Sequence, residues 1–110
     1  MDVDQVAELA RELDLLTRRL RDLGPARLSA RGQAGAVADD ARALAQRLAD
    51  AAAELLGEDR REVPRLGDHA VADQVAVVGR ELLEALAGRH TTHQAAAIRR
   101  DVQALRGSLP

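Results

Sequence analysis

His69, His90 and His93 are the only imidazoles in this 110-residue chain. His90 and His93 stand three apart, so on a helix they share a face. A metal site in a helical bundle adds Glu-x-x-His pairs from two helices. No acid stands three residues before any of these histidines. They read as polar residues near helix ends. Glu54, Glu58 and Glu62 are spaced by four, with Asp59 beside them. An unbroken helix would make them a carboxylate row suited to Mg²⁺. Gly57 interrupts the row and Arg60, Arg61 and Arg65 follow it, so a solvated, self-paired charge cluster is the reading.

Nucleophilic chemistry finds little support. Zero Cys excludes disulfides, thiolate ligands and a Cys nucleophile. Thr17, Ser29, Thr91, Thr92 and Ser108 read as helix caps or surface hydroxyls. No His–acid pair is placed to activate one. Gly32 and Gly35 lack the spacing and the Lys of a phosphate loop. No catalytic residue, metal ligand or cofactor is therefore assigned, and the chain is expected not to be an enzyme. All the bases are Arg, and 16 of them face 18 acids for a formal charge of −2. That balance gives no general drive toward nucleic acid or an anionic membrane.

The elements that must position these residues are four amphipathic segments. The first, about 3–23, places Val6, Leu9, Leu13, Leu16, Leu20 and Leu23 in alternating steps of three and four, the seam of a coiled-coil-like contact. Asp2 with Gln5 fits a capping box, and Gly24-Pro25 is expected to stop the helix with Gly in the left-handed closing position. A short turn then predicts an antiparallel second helix over about 30–56. Ser29 is its expected cap, with Gly32 and Gly35 weakening the first turns. Val37, Ala41, Leu44, Leu48, Ala51 and Leu55 repeat the seam, and Gly57 closes it.

The connection Gly57–Asp68 has twelve residues, at the upper end for a compact bundle. It reads as mobile ahead of functional. Arg60, Arg61 and Arg65 are the candidate partner-binding residues. Asp68 is expected to cap a third helix over about 69–87. Its apolar stripe, Val71, Val75, Val78, Leu82 and Leu86 widened by Ala72, Ala76 and Leu83, covers about half the circumference. A stripe that wide touches more than one neighbour, so this helix is expected to be the one the others pack around. Thr91 with Gln94 opens a fourth helix, about 92–106, with Ala95, Ile98, Val102 and Leu105 on one face and Gly107 at its end.

Together these predict an all-α, single-domain, four-helix up-down-up-down bundle, the first two helices forming the longer hairpin. The expected core is Leu9, Leu13, Leu16, Leu20, Leu44, Leu48, Leu55, Val75, Val78, Leu82, Ile98 and Val102. The chain has no aromatic residue, so the core is thin. A thin core in a small domain is marginal, which favours burial of further surface by self-association. The acidic start, Met1-Asp2-Val3-Asp4, does not read as a secretory signal, and no apolar run reaches the ~18 residues of a membrane span. A cytoplasmic location is the default expectation.

Two resemblances touch parts of the chain. Ile98-Arg99-Arg100-Asp101-Val102 resembles the recognition-helix sequence of DeoR-type helix-turn-helix repressors over five residues. It implies a DNA-binding alternative in which Arg99, Arg100 and Arg106 meet phosphates or base edges. The Gly88–Ile98 spacing is longer than that family's turn. In size, Ala content and helical hairpins the chain is also similar to small secreted proteins of actinobacterial type VII systems, without their Trp-x-Gly turn or Tyr-containing signal. The reading that absorbs most residues is a non-catalytic interaction or scaffolding module. Its expected partner is a second copy or another helical protein, with no membrane partner and nucleic acid disfavoured.

Overall fold

The computed structural model describes residues 2–32, 35–89 and 92–110, apart from the side chains of 2–4, 31–32, 35 and 92. It is an all-α bundle about 40 Å long. Helix α1 spans Asp2–Asp22, α2 Pro25–Ser29, α3 Val37–Leu56, α4 Val71–Leu86 and α5 Thr92–Ser108. A 3₁₀ turn, Asp68–Ala70, leads into α4. A two-residue antiparallel ladder pairs β1 (Arg31–Gly32) with β2 (Gly35–Ala36). The second long helix therefore starts at Val37 rather than near residue 30. The two glycines that weaken its expected first turns lie in the ladder instead.

Helix α4 packs on both α3 and α1, as its wide stripe predicts, and α5 packs on α1. The seams meet inside the chain. Leu9, Leu16, Leu20, Leu44, Leu48, Val75, Leu82 and Val102 are fully buried, while Leu55 and Ile98 are half-buried against them. Gly79 sits where α4 crosses α1. A Cβ there would lie 3.3 Å from a Leu13 methyl. The glycine costs about 1 kcal/mol of helix propensity against Ala, and it leaves room for Leu13. Thr17 is not on the surface as expected. It is buried at 5% exposure, and its hydroxyl donates to the Leu13 carbonyl at 2.8 Å, which satisfies it within its own helix.

The direction of the helices departs from up-down-up-down. Glu8 pairs with Arg99, and Glu12 with Arg106, so α1 and α5 are parallel. Arg21 pairs with Asp73 and Leu13 meets Gly79, so α4 runs against α1. Arg47 pairs with Asp101 at 3.5 Å, and Asp40 lies near Ser108, so α3 runs against α5. Helices α3 and α4 are consequently parallel, and the order is up-down-down-up. The expected hairpin of the first two helices is not formed; α1 pairs with α4 and α5.

The physical reason is the connection at 57–67. Eleven residues extended reach about 36 Å. The 20 residues of α3 span about 30 Å. The connection therefore returns the length of α3 before α4 begins, where a short loop would have forced an antiparallel pair. It is a strap bound to the helices and not a free loop. Gln46 Nε2 donates to the Arg61 carbonyl at 2.9 Å, and Gln46 Oε1 accepts the Val63 N–H at 2.8 Å. Gln74 donates to the Pro64 carbonyl at 2.7 Å, and Arg42 to that of Leu66 at 3.0 Å. Val63 is half-buried against the core.

Helix ends follow the sequence in part. Gly57 is left-handed, with φ of 68°, and the Glu58 N–H reaches back to Ala53 O at 2.9 Å. Gly24 instead is extended, at φ −73° and ψ 164°, because the following Pro25 excludes a helical or left-handed preference. Pro25 then starts the short α2 and seats Leu28 in the core. Gly107 lies inside α5, which continues to Ser108. Neither Ser29 nor Asp68 caps a helix; they bond to each other, as described below. The Asp2 and Thr91 side chains lie outside the described residues, and with them both expected capping boxes.

Replacing Gln46 with Ala should free the strap without unfolding the bundle. Trypsin should then cut at Arg60, Arg61 or Arg65 at least tenfold faster than in the parent. Leu48→Ala, by contrast, should lower urea stability by about 2–5 kcal/mol. Equal cleavage rates in Gln46→Ala and the parent would show that the clasp does not hold the strap.

Candidate functional site

Where the strap leaves Gly57 it does not fill the channel between α3 and α4. An open cleft of about 420 Å³ remains there. Ala49, Ala52, Ala53 and Ala85 form its floor, and Leu56, 48% exposed, stands at its edge. The alanine seam on α3 causes the vacancy. Leu44 and Leu48 fill the channel higher up, but from Ala49 to Ala53 α3 presents mostly methyl groups. The walls carry Glu58 and Asp59 from the strap and Glu81 and Glu84 from α4; Arg61 is the one base among them. Among the described residues none of these four carboxylates has an ion pair within 4 Å.

Parallel packing adds a second electrostatic feature. Helices α3 and α4 bring both carbonyl ends to this end of the bundle. Each such end carries a partial negative charge. Helices α1 and α5 have Arg in their last turns, whereas α3 and α4 have no base there. Arg89, just beyond α4, donates to the Ala85 carbonyl and supplies one cation. The amide ends of α1 and α5 lie at the same end and offset these poles, so the acidity of the cleft comes from Glu58, Asp59, Glu81 and Glu84.

The opposite end of the strap is closed by a compact polar clasp. Arg42, with a side chain 14% exposed, pairs with Asp39 at 3.1 Å and with Asp68. The Ser29 hydroxyl donates to the other Asp68 oxygen at 2.6 Å. That hydrogen bond first, and the Arg42 guanidinium second, hold the Asp68 carboxyl below the usual carboxylate range, with Arg65 adding a weaker attraction. Two residues expected to cap different helices thus pin the start of α4 to the end of α2.

The other candidates are scattered. Arg60, Arg61 and Arg65 are exposed along the strap, and Arg65 approaches Asp39 at 3.7 Å. Only Arg61 reaches the cleft. Glu58 lines it, while Glu54 and Glu62 are exposed elsewhere, so these acids form no carboxylate row, as the break at Gly57 implies. Arg99 and Arg106 pair with Glu8 and Glu12; Arg106 does so through both Nε and Nη2, at 3.1 and 2.8 Å. Arg100 is exposed. Helix α5 packs chiefly on α1, so it does not form the α4–α5 pair that a helix-turn-helix needs. His69 lies at the start of α4, its ring filling the space a side chain at Gly67 would take. His93 is exposed at the start of α5, the opposite end of the bundle. His90 falls outside the described residues. Among the described residues no three His, Cys, Asp or Glu are placed to hold a metal ion, and no helix is long and apolar enough to cross a membrane.

Sequence reasoning had Glu58 and Arg61 but missed Ala49, Ala53, Glu81 and Glu84. The signal available was the run Ala51-Ala52-Ala53 facing a helix in which Glu81 and Glu84 flank the seam residue Leu82. No protein-family model, curated protein or solved structure matches the chain.

The depressed Asp68 value fixes the sign of an acid effect. Its contribution to holding the strap is complete above the ordinary carboxylate pKa of about 4 and is lost as pH falls through Asp68's own lower value. Hydrogen exchange at the Ala70 amide, compared between pH 5 and about pH 2 after correction for intrinsic rates, should lose protection in the parent. Asp68→Asn should already be less protected at pH 5 and change less between the two. An unchanged parent would contradict the clasp.

Proposed function

We propose that the protein is a non-catalytic helical interaction module whose docking face is the α3–α4 cleft. One observation supports this most. The large Leu and Val residues are spent inside the chain, yet the channel between two parallel helices is left open over a floor of alanines. Alanine floors let another backbone come close, and the missing side-chain volume must come from what docks there. The Arg–acid pairs between helices serve register more than affinity, since exposed pairs contribute about 0–1 kcal/mol each.

The seam that the sequence offered for self-association is occupied within one chain, with Leu9, Leu16 and Leu20 at 0–1% exposure. Among the described residues the large apolar side chains left exposed are Leu56, Leu66 and Val77. Of these Leu56 lines the cleft.

A photo-crosslinking residue at Glu84 in the native host should give a discrete adduct. The same residue at Arg11, exposed on α1, should not. Ala49→Trp fills the cleft from a partly buried position and should keep the fold at a cost of no more than about 1–3 kcal/mol, while abolishing the Glu84 adduct. An adduct that survives Ala49→Trp, or the same adducts from both positions, would overturn the assignment of the face.

A further inference from the structure

We infer that the occupant of the cleft is a cationic amphipathic helix of another protein, with large apolar residues along its centre and Arg or Lys along its edges. The inference rests on reading the cleft as a docking face and adds what that face recognises. Two observations carry it. The floor is alanine, so the shape lacks the large apolar side chains that would fill it, and these must be carried by the occupant. The walls carry Glu58, Asp59, Glu81 and Glu84 against Arg61, so the flanks of the occupant must be basic. The carbonyl ends of α3 and α4 lie here beside the amide ends of α1 and α5, so the helix poles largely offset one another and the charge of the cleft is that of its side chains.

The spread of the acids excludes a compact cation as the better fit. The carboxylates do not converge on one point among the described residues. Separated guanidinium or ammonium groups along a helix match separated carboxylates; a single ion does not. The strap supplies a precedent within the molecule. The upper part of the same α3–α4 channel already holds a polypeptide segment, carrying Arg61 toward the acidic walls. The occupant continues that channel toward the helix ends.

A second copy fits less well. The exposed outer face of α1 carries Arg11 and Arg18, but also Asp14, which pairs with Arg18 at 3.1 Å, and its one large apolar residue, Leu15, is partly buried. It offers charge without the row of large side chains needed to fill the floor.

The test is a titration of the ¹⁵N-labelled full chain with three synthetic helices of one length. One has a Leu face edged by Arg, one has Glu in place of Arg, and one has the first composition scrambled. The Arg helix should shift amides of Ala49–Leu56 and Glu81–Leu86, and the Glu helix should not. Binding should weaken about tenfold or more from 50 to 500 mM salt. Glu81→Arg with Glu84→Arg, both on exposed positions, should weaken it at least tenfold while the rest of the spectrum is kept. Shifts caused equally by the Glu or scrambled helix, shifts located elsewhere, or no shifts at millimolar peptide would overturn the inference. Concentration-dependent shifts at the cleft without peptide, with doubled mass in sedimentation, would replace the partner by a second copy. A cleft-dependent photo-adduct at Glu84 together with no response to the Arg helix would leave the docking face standing and remove only its cationic occupant.

Discussion

The strap between α3 and α4 sets the architecture. Its eleven residues from Gly57 to Gly67 return the length of α3, so α4 must start beside the start of α3 and run the same way. An extended segment on a bundle surface leaves its backbone groups without secondary-structure partners. Each would be costly if covered and unsatisfied. Gln46 answers this with both ends of its amide, accepting one N–H and donating to one carbonyl as a neighbouring strand would. Gln74 and Arg42 take two more carbonyls. Four side-chain bonds on a segment of six residues turn a long connection into a fixed element.

The parallel pair that results has an electrostatic consequence. In an antiparallel bundle each helix end lies beside an opposite pole. Here α3 and α4 bring two like poles to the end that also holds Glu58, Glu81 and Glu84, and the opposite poles there come from the starts of α1 and α5. At the other end the chain provides compensation: Asp39, Asp40 and Asp73 lie in the first turns of α3 and α4. That end is closed by Arg42, Asp68 and Ser29, and the end with the acidic side chains is the one that is open. The composition contributes as well. Without aromatic residues the core closes through Leu and Val supported by Ala, and Gly79 shows how near α1 and α4 come. Where the floor is Ala49, Ala52, Ala53 and Ala85, no side chain fills the channel and the cleft remains.

The helices and their buried faces were legible because burial follows a 3.5–3.6 residue period that any reader can count. Leu9 to Leu20 and Val71 to Leu86 declare their faces without reference to a neighbour. Gly57 was legible for the same reason, since a left-handed close is a local event. Direction and pairing were not. They depend on whether twelve residues wander or lie flat, and that is decided by Gln46 and Arg42, whose partners are 15 to 26 residues away. Ser29 and Asp68 each satisfied a local capping rule, yet the contact available between them across 39 residues won. Gly24 was misjudged because the proline after it governs its backbone more strongly than its own freedom does. The cleft itself was invisible for a simple reason: it is a place where side chains are absent, and a run of Ala reads as helix former and core filler alike.

The parallel arrangement is the claim on which the cleft, its charge and its docking role all rest. Double electron–electron resonance between spin labels tests it directly. Glu54, Asp73 and Glu84 are exposed helix positions that accept labels. The eleven residues between 73 and 84 separate the two ends of α4 by about 16 Å. The account predicts a clearly shorter distance for the 54–84 pair than for the 54–73 pair. The reverse order would mean that α4 runs against α3, as in an up-down-up-down bundle, and would contradict the account.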